Sequence, residues 1–164
     1  MSLDLTLQNR QRTRAMDLRQ LRTIVTALLS ELLEIKQAEL GVTLVAEAEM
    51  TRLNETFLQH EGSTDVLTFD HREPGTRNSK RGTAIHGEIF VCVDDAILQA
   101  RQFRTTWQSE VVRYVVHGVL HLLGYDDHRA TDRRKMKREE NRLLGLLTAR
   151  FPLSRLARKT KLAK

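Results

Sequence analysis

A single cysteine, Cys92, stands among 164 residues. No intrachain disulfide can form, so a hydrophobic core must hold the fold, and a reducing compartment is the default. Aromatic side chains make up 5% of the chain, too few to indicate a base-stacking platform. Prolines are two, Pro74 and Pro152, which leaves long stretches free to form regular structure. Nowhere do about 18 uninterrupted apolar residues occur, so no membrane span is expected. The opening stretch, MSLDLTLQNRQRTR, lacks the apolar core of a secretory signal. Together these absences predict a cytoplasmic protein.

What is present suits a soluble globular chain: 40% hydrophobic against 29% charged residues, in a length typical of one domain. The net charge of +6 is unevenly spread. Residues 129–164 carry +10, whereas residues 1–128 carry −4. A segregated basic surface suits a polyanion such as nucleic acid, which it meets through phosphate contacts and counterion release.

Alternation in LDLTLQ (3–8) predicts a strand, and Asp17 predicts the cap of a helix with Leu21, Ile24, Val25 and Leu28 on one face. Gly41 is read as punctuation before a strand over 42–46. A short helix is expected over 48–58, a strand over 63–69, and a polar loop over 71–84. The β-branched run 86–93 predicts a strand, followed by a helix to residue 103 capped by Asp94 or Asp95. A largely apolar, buried helix is predicted over 107–123, ended by Gly124. A basic amphipathic helix follows over 130–149, stopped by Pro152, with a basic, flexible tail from residue 151. The fold class is α+β: one domain over 1–150, a small mixed sheet of about four strands packed with about five helices.

The chemistry concentrates in HGVLHLLGYDDH, residues 117–128, which hold three of the six histidines. Four residues advance a helix by about one turn, so His117 and His121 share a face and can bind one ion. Zinc suits neutral imidazole, and a catalytic zinc keeps three protein ligands with a further position open. Gly124 lets the chain double back and deliver a third donor, either His128 or Asp127. Gly118 stands where the HExxH metalloprotease motif has its glutamate, which argues against peptide hydrolysis and leaves Lewis-acid chemistry on a phosphodiester. Beside a ligand, Gly118 is also read as leaving room for an ion or substrate. Cys92, Trp107 and Tyr114 are read as packing groups, and His60, His71 and His86 as loop or strand-end residues.

HGVLHLLGYDDH resembles the signature H-G-x-L-H-L-x-G-Y-D-H of the YbeY family of bacterial endoribonucleases, the rRNA maturation factors. Upstream, LNETFLQHEGSTDVLTF (53–69) is similar to the family's LN…(Y/F)R…TDVLSF block, and GEIFVCV (87–93) to its GDI strand. The resemblance implies an α+β fold, one zinc ion held by His117, His121 and His128, and cleavage of single-stranded RNA. It implies a role in 16S rRNA 3′-end maturation and ribosome quality control, with the small ribosomal subunit as partner. His117 and His121 become the catalytic candidates, and Thr64 and Asp65 match the TDV block.

Two departures stand out. The family's third histidine lies ten positions after the first, where this chain has Asp127; His128 comes one later. His128 is the favoured ligand, because loops absorb single insertions, and Asp127 is the alternative, since carboxylate oxygen also binds zinc. The family's arginine in the LN block aligns with Leu58, which cannot pair with a phosphate. Arg52, Arg72 or the basic helix, through Arg133, Arg134, Lys135 and Lys137, is expected to supply the missing charge. The expected function is a zinc-dependent, single-strand-specific endoribonuclease. The alternative is a non-catalytic, zinc-containing rRNA-binding assembly factor, a reading that Leu58 favours.

Overall fold

The computed structural model describes residues 2–59, 62–73 and 84–157. Four strands form one mixed sheet in the order β1-β2-β4-β3. β1 (Ser2–Asn9) lies parallel to β2 (Gln37–Val45), and β2 lies parallel to β4 (Ala84–Cys92). β3 (Val66–Asp70) closes the other edge, antiparallel to β4. The parallel pair β1–β2 is bridged by α1 (Leu18–Ala27), as a crossover requires. As expected, the Asp17 carboxylate caps α1, accepting from the Gln20 N–H at 3.1 Å. The helix then widens into a π turn over Leu28–Leu32.

α2 (Glu47–Phe57) follows β2, α3 (Val93–Phe103) follows β4, and α4 (Trp107–Leu122) and α5 (Ala130–Arg150) complete the α+β domain. Its five helices and four-stranded sheet match the expected class. α4 is the central helix. Val111, Val112, Val115, Val116, Val119 and Leu120 are buried along it, so most of its circumference faces protein. Among the described residues no helix is long and apolar enough to cross a membrane.

Two glycines seat α4 on the sheet. A Cβ at Gly118 would stand 2.9 Å from Ile89 Cδ1 and Cγ2, below any ordinary contact distance. A Cβ at Gly87 would stand 2.5 Å from the Phe69 carbonyl and 2.9 Å from Leu122 Cδ2. Gly118 therefore faces the strand beneath it. The expectation that it makes room for an ion is corrected: it makes room for β4.

Other expectations are also corrected. Gly41 does not break the chain but sits inside β2, paired with Thr6 and Glu88. Asp94 and Asp95 do not precede α3 but lie in its first turn, with Cys92 at the cap position. Asp94 instead accepts from the Glu47 N–H at 2.6 Å and so serves the start of α2. Cys92 is fully buried, and burial pushes its thiol up to about 11, as befits a packing group. Past α5 the chain does not leave the domain at once. Leu153 and Leu156 are buried, and the Leu156 carbonyl accepts from the Asp17 N–H at 2.8 Å. Of the expected tail, 151–157 thus packs onto the core, and 158–164 lies outside the described residues, as does His60.

Candidate metal centre

Helical periodicity brings His117 and His121 onto one face of α4, half-buried, with ring centroids 4.6 Å apart. Each ring has one nitrogen committed elsewhere. His117 Nδ1–H donates to Glu140 Oε1 at 2.7 Å, and His121 Nδ1–H donates to the Tyr125 carbonyl at 3.2 Å. A backbone carbonyl can only accept, and so can the ionised Glu140 carboxylate, which fixes both tautomers. Both Nε2 atoms then carry lone pairs, and they face each other at 3.1 Å. Burial, followed by the neighbouring His117 ring, lowers the His121 pKa. Two neutral rings in these tautomers turn converging lone pairs toward one point, an arrangement that suits a metal cation.

The third donor is delivered by the turn at Gly124, which adopts φ of 100° as expected of a helix-ending glycine. The Tyr125 N–H donates to the Leu120 carbonyl at 3.0 Å, folding the chain back along α4. This places Asp127 Oδ2 3.6 Å from His121 Nε2. His117, His121 and Asp127 offer donor atoms that all lie within 4.8 Å of one another. His128 is placed differently. Its ring is 86% exposed and sits 3.5 Å from Asp126 Oδ1, which also accepts the His128 N–H at 3.0 Å. His128 does group with Asp126 and Asp127, but not with the two helical histidines. Two imidazoles and a carboxylate are an accepted donor set for a divalent cation that keeps one position open.

Glu140 is the functional residue missed in the sequence. It is 3% exposed on α5 and accepts from His117, from Arg113 Nη1 at 2.7 Å and from Lys137 Nζ at 3.0 Å. Burial alone would raise its pKa, but those three donors hold it down at about 2. A sequence signal existed: Met136, Leu143, Leu144 and Leu147 are its neighbours at helical spacing, which makes Glu140 an acid on an apolar face.

The centre opens into a cleft of about 840 Å³ between α3, α4 and α5. His117, Asp127, Arg113, Arg133, Arg134 and Lys137 contribute to its lining, and Phe103, Tyr114 and Met136 supply an apolar part. Asp65 of the TDV block lines it too, its Oδ1 accepting the Val66 N–H at 2.8 Å. Of the expected RNA-contacting residues, Lys135 is exposed outside the lining, whereas Arg133 donates to the Asp127 and His128 carbonyls at 3.3 and 3.1 Å and so braces the ligand loop. Leu58 and Arg52 lie outside the lining as well. Arg72 is corrected as a substitute for the family arginine: its guanidinium is bound to Asp70 and donates to the Leu122 carbonyl at 2.8 Å, tying β3 to the end of α4.

Comparison with known proteins agrees with this architecture. A family model described as Endoribonuclease YbeY matches residues 6–148. The chain is 39% identical over 107 residues to Endoribonuclease YbeY of Salinibacter ruber, covering 65% of this chain and 68% of that protein. It is 40% identical over 113 residues to the protein of that name from Bordetella petrii, covering 69% of each. Against several others of that name the match takes in between 38% and 64% of the relative's length. The solution structure of TM1509 from Thermotoga maritima superposes with a TM-score of 0.65 at 25% identity, covering 98% of this chain and 99% of that one. The chain belongs to the endoribonuclease YbeY family, a family of hydrolytic RNA-cleaving enzymes.

Proposed function

We propose that this chain is a zinc-dependent endoribonuclease that cuts single-stranded RNA, with His117, His121 and Asp127 as ligands to one ion. The observation that carries the reading is the pair of Nε2 atoms facing each other at 3.1 Å with the Asp127 carboxylate beside them. Asp127 takes the place first given to His128, whose ring points to solvent. A bound zinc would act as a Lewis acid toward a phosphodiester and bring water into play near neutral pH. Glu140 and the Tyr125 carbonyl hold the two rings in register, and Arg133 holds the loop that presents Asp127. The lining sets Arg113, Arg133, Arg134 and Lys137 among the carboxylates of Asp65, Glu110, Asp127 and Glu140. The exposed Arg134 and Lys137 are the cations offered to a phosphate backbone in place of the charge missing at Leu58. The physiological setting we assign is 16S rRNA 3′-end maturation and ribosome quality control in the cytoplasm, with the small ribosomal subunit as partner.

The test is incubation of the purified chain with single-stranded and base-paired RNA, with and without chelator. Cleavage confined to the single strand, lost on chelation, regained with zinc and absent in His121→Ala, is the expected result. RNA binding without cleavage would replace the nuclease with an assembly factor that keeps its ion for stability.

A further inference from the structure

Fixing the His117 ring requires one acceptor, yet Glu140 has more company than that task needs. One oxygen, Oε1, accepts from His117 at 2.7 Å. The other, Oε2, accepts from both Arg113 at 2.7 Å and Lys137 at 3.0 Å. Two cations therefore draw on a carboxylate whose charge would otherwise act on the imidazole. They are held very differently. Arg113 is 24% exposed, lies 3.8 Å from Glu110 and also donates to Asn141 Oδ1 at 2.8 Å, so three side chains fix it. Lys137 is 61% exposed on a flexible stem, and it lines the cleft beside His117 and Asp127.

We propose that Glu140 is a positioning residue whose grip on His117 is set by Lys137, so that capture of a substrate phosphate by Lys137 tightens metal binding at His117. The inference rests on the ligand assignment given above. A phosphodiester entering the cleft competes with Glu140 for the Lys137 ammonium. Once Lys137 turns away, Glu140 keeps His117 and Arg113 but loses one neutralising donor. Its charge then acts more fully on the Nδ1–H of His117, which raises electron density at Nε2, the atom turned toward His121. An outer carboxylate strengthens a metal-binding imidazole in this way. Linkage is reciprocal, so bound metal tightens the hold on the phosphate backbone by the same factor. Metal and substrate thus complete the site together.

The experiment is a zinc titration of the full chain against a chromophoric chelator, with and without a saturating 2′-O-methyl single-stranded oligonucleotide whose integrity is checked afterwards. In wild type the oligonucleotide should tighten zinc about fivefold or more. Lys137→Gln should bind zinc severalfold more tightly than wild type without oligonucleotide, and the oligonucleotide should then change its affinity less than about twofold. Glu140→Gln should bind zinc roughly 10–100-fold more weakly. Direct attraction between phosphate and ion would persist in Lys137→Gln, so equal coupling in that variant and in wild type overturns the proposal. So does zinc affinity that ignores the oligonucleotide in wild type. Lys137 sits on the solvent edge of α5, so its replacement keeps the test decisive even where Glu140→Gln misfolds. A wild-type chain that takes up no zinc removes the ligand assignment itself, a distinguishable failure.

Discussion

Among the described residues stand two pairs of neighbouring histidines, and they are alike in more than residue type. His117 and His121 on α4 meet edge to face at 4.6 Å, and His71 and His86, beside and within β4, do so at 5.5 Å. Both pairs have carboxylates at hand. The difference lies in where the nitrogens point. His71 Nε2 contacts Glu88 at 2.9 Å and His86 Nε2 lies 3.4 Å from Glu39, so each ring serves its own glutamate on an open sheet face. In the α4 pair the Nδ1 atoms are taken from behind, by Glu140 and by the Tyr125 carbonyl, and the Nε2 atoms converge. Proximity of imidazoles is common to both; convergence of lone pairs belongs to one.

The sharpest way to break the contrast is to remove one ring from each pair. His121→Ala should lower RNA cleavage on the order of a thousandfold and abolish stoichiometric zinc, measured by metal analysis of dialysed protein. His86→Ala should leave both unchanged. Loss of zinc in His86→Ala, or its retention in His121→Ala, would invert the assignment. Smaller but more discriminating is the loop. Asp127→Ala should weaken zinc by roughly 10–100-fold or more, since a ligand is worth at least as much as an outer partner. His128→Ala should change it little. The reverse order would restore His128 to the site.

Much of the site was legible because helical spacing is rigid. Four residues on a helix fix a relation between His117 and His121 that no tertiary contact needs to supply. The same regularity exposed α4 as buried and Gly124 as its end. What followed Gly124 was not legible, because a loop has no period. Whether position 127 or 128 turns back toward the two rings depends on the Tyr125 and Asp126 backbone, which Arg133 and the Asp126 carboxylate hold in place. Glycines misled for a related reason. Gly41 and Gly118 read as a break and as an open space, yet one lies within β2 and the other against Ile89. A missing side chain signals close approach, and sequence alone does not name what approaches.

Gly118 tests whether the α4 pair owes its placement to that packing. A methyl group added there lands 2.9 Å from two Ile89 carbons, in a core with no slack. Gly118→Ala should destabilise the fold by about 1–3 kcal/mol in urea unfolding, even though alanine favours helix. A stabilised variant would mean that α4 rides higher on β4 than described.

The smallest effect contrasts two acids as the histidine pairs were contrasted. Glu140 is buried among three donors and held at about 2, whereas Asp95 is raised to about 6, by burial first and then by Asp65 and Glu47. Donors converge on one and acids surround the other. The sign for Asp95 follows from linkage. Its native pKa lies above its unfolded value near 3.8, so the native state gains a proton first as pH falls. The cost of its charge is fully present above about pH 6 and is relieved between about 6 and 4. Asp95→Asn should therefore gain roughly 1 kcal/mol at pH 8, after allowance for solvent screening of a part-exposed group. The gain should shrink toward pH 4, because there the wild-type carboxyl is largely protonated in the native state. Urea melts of both proteins at the two pH values measure it. A gain independent of pH would place the strain in the contacts of Asp95 with the Ser63 and Tyr114 hydroxyls, each 3.4 Å away, rather than in the charge.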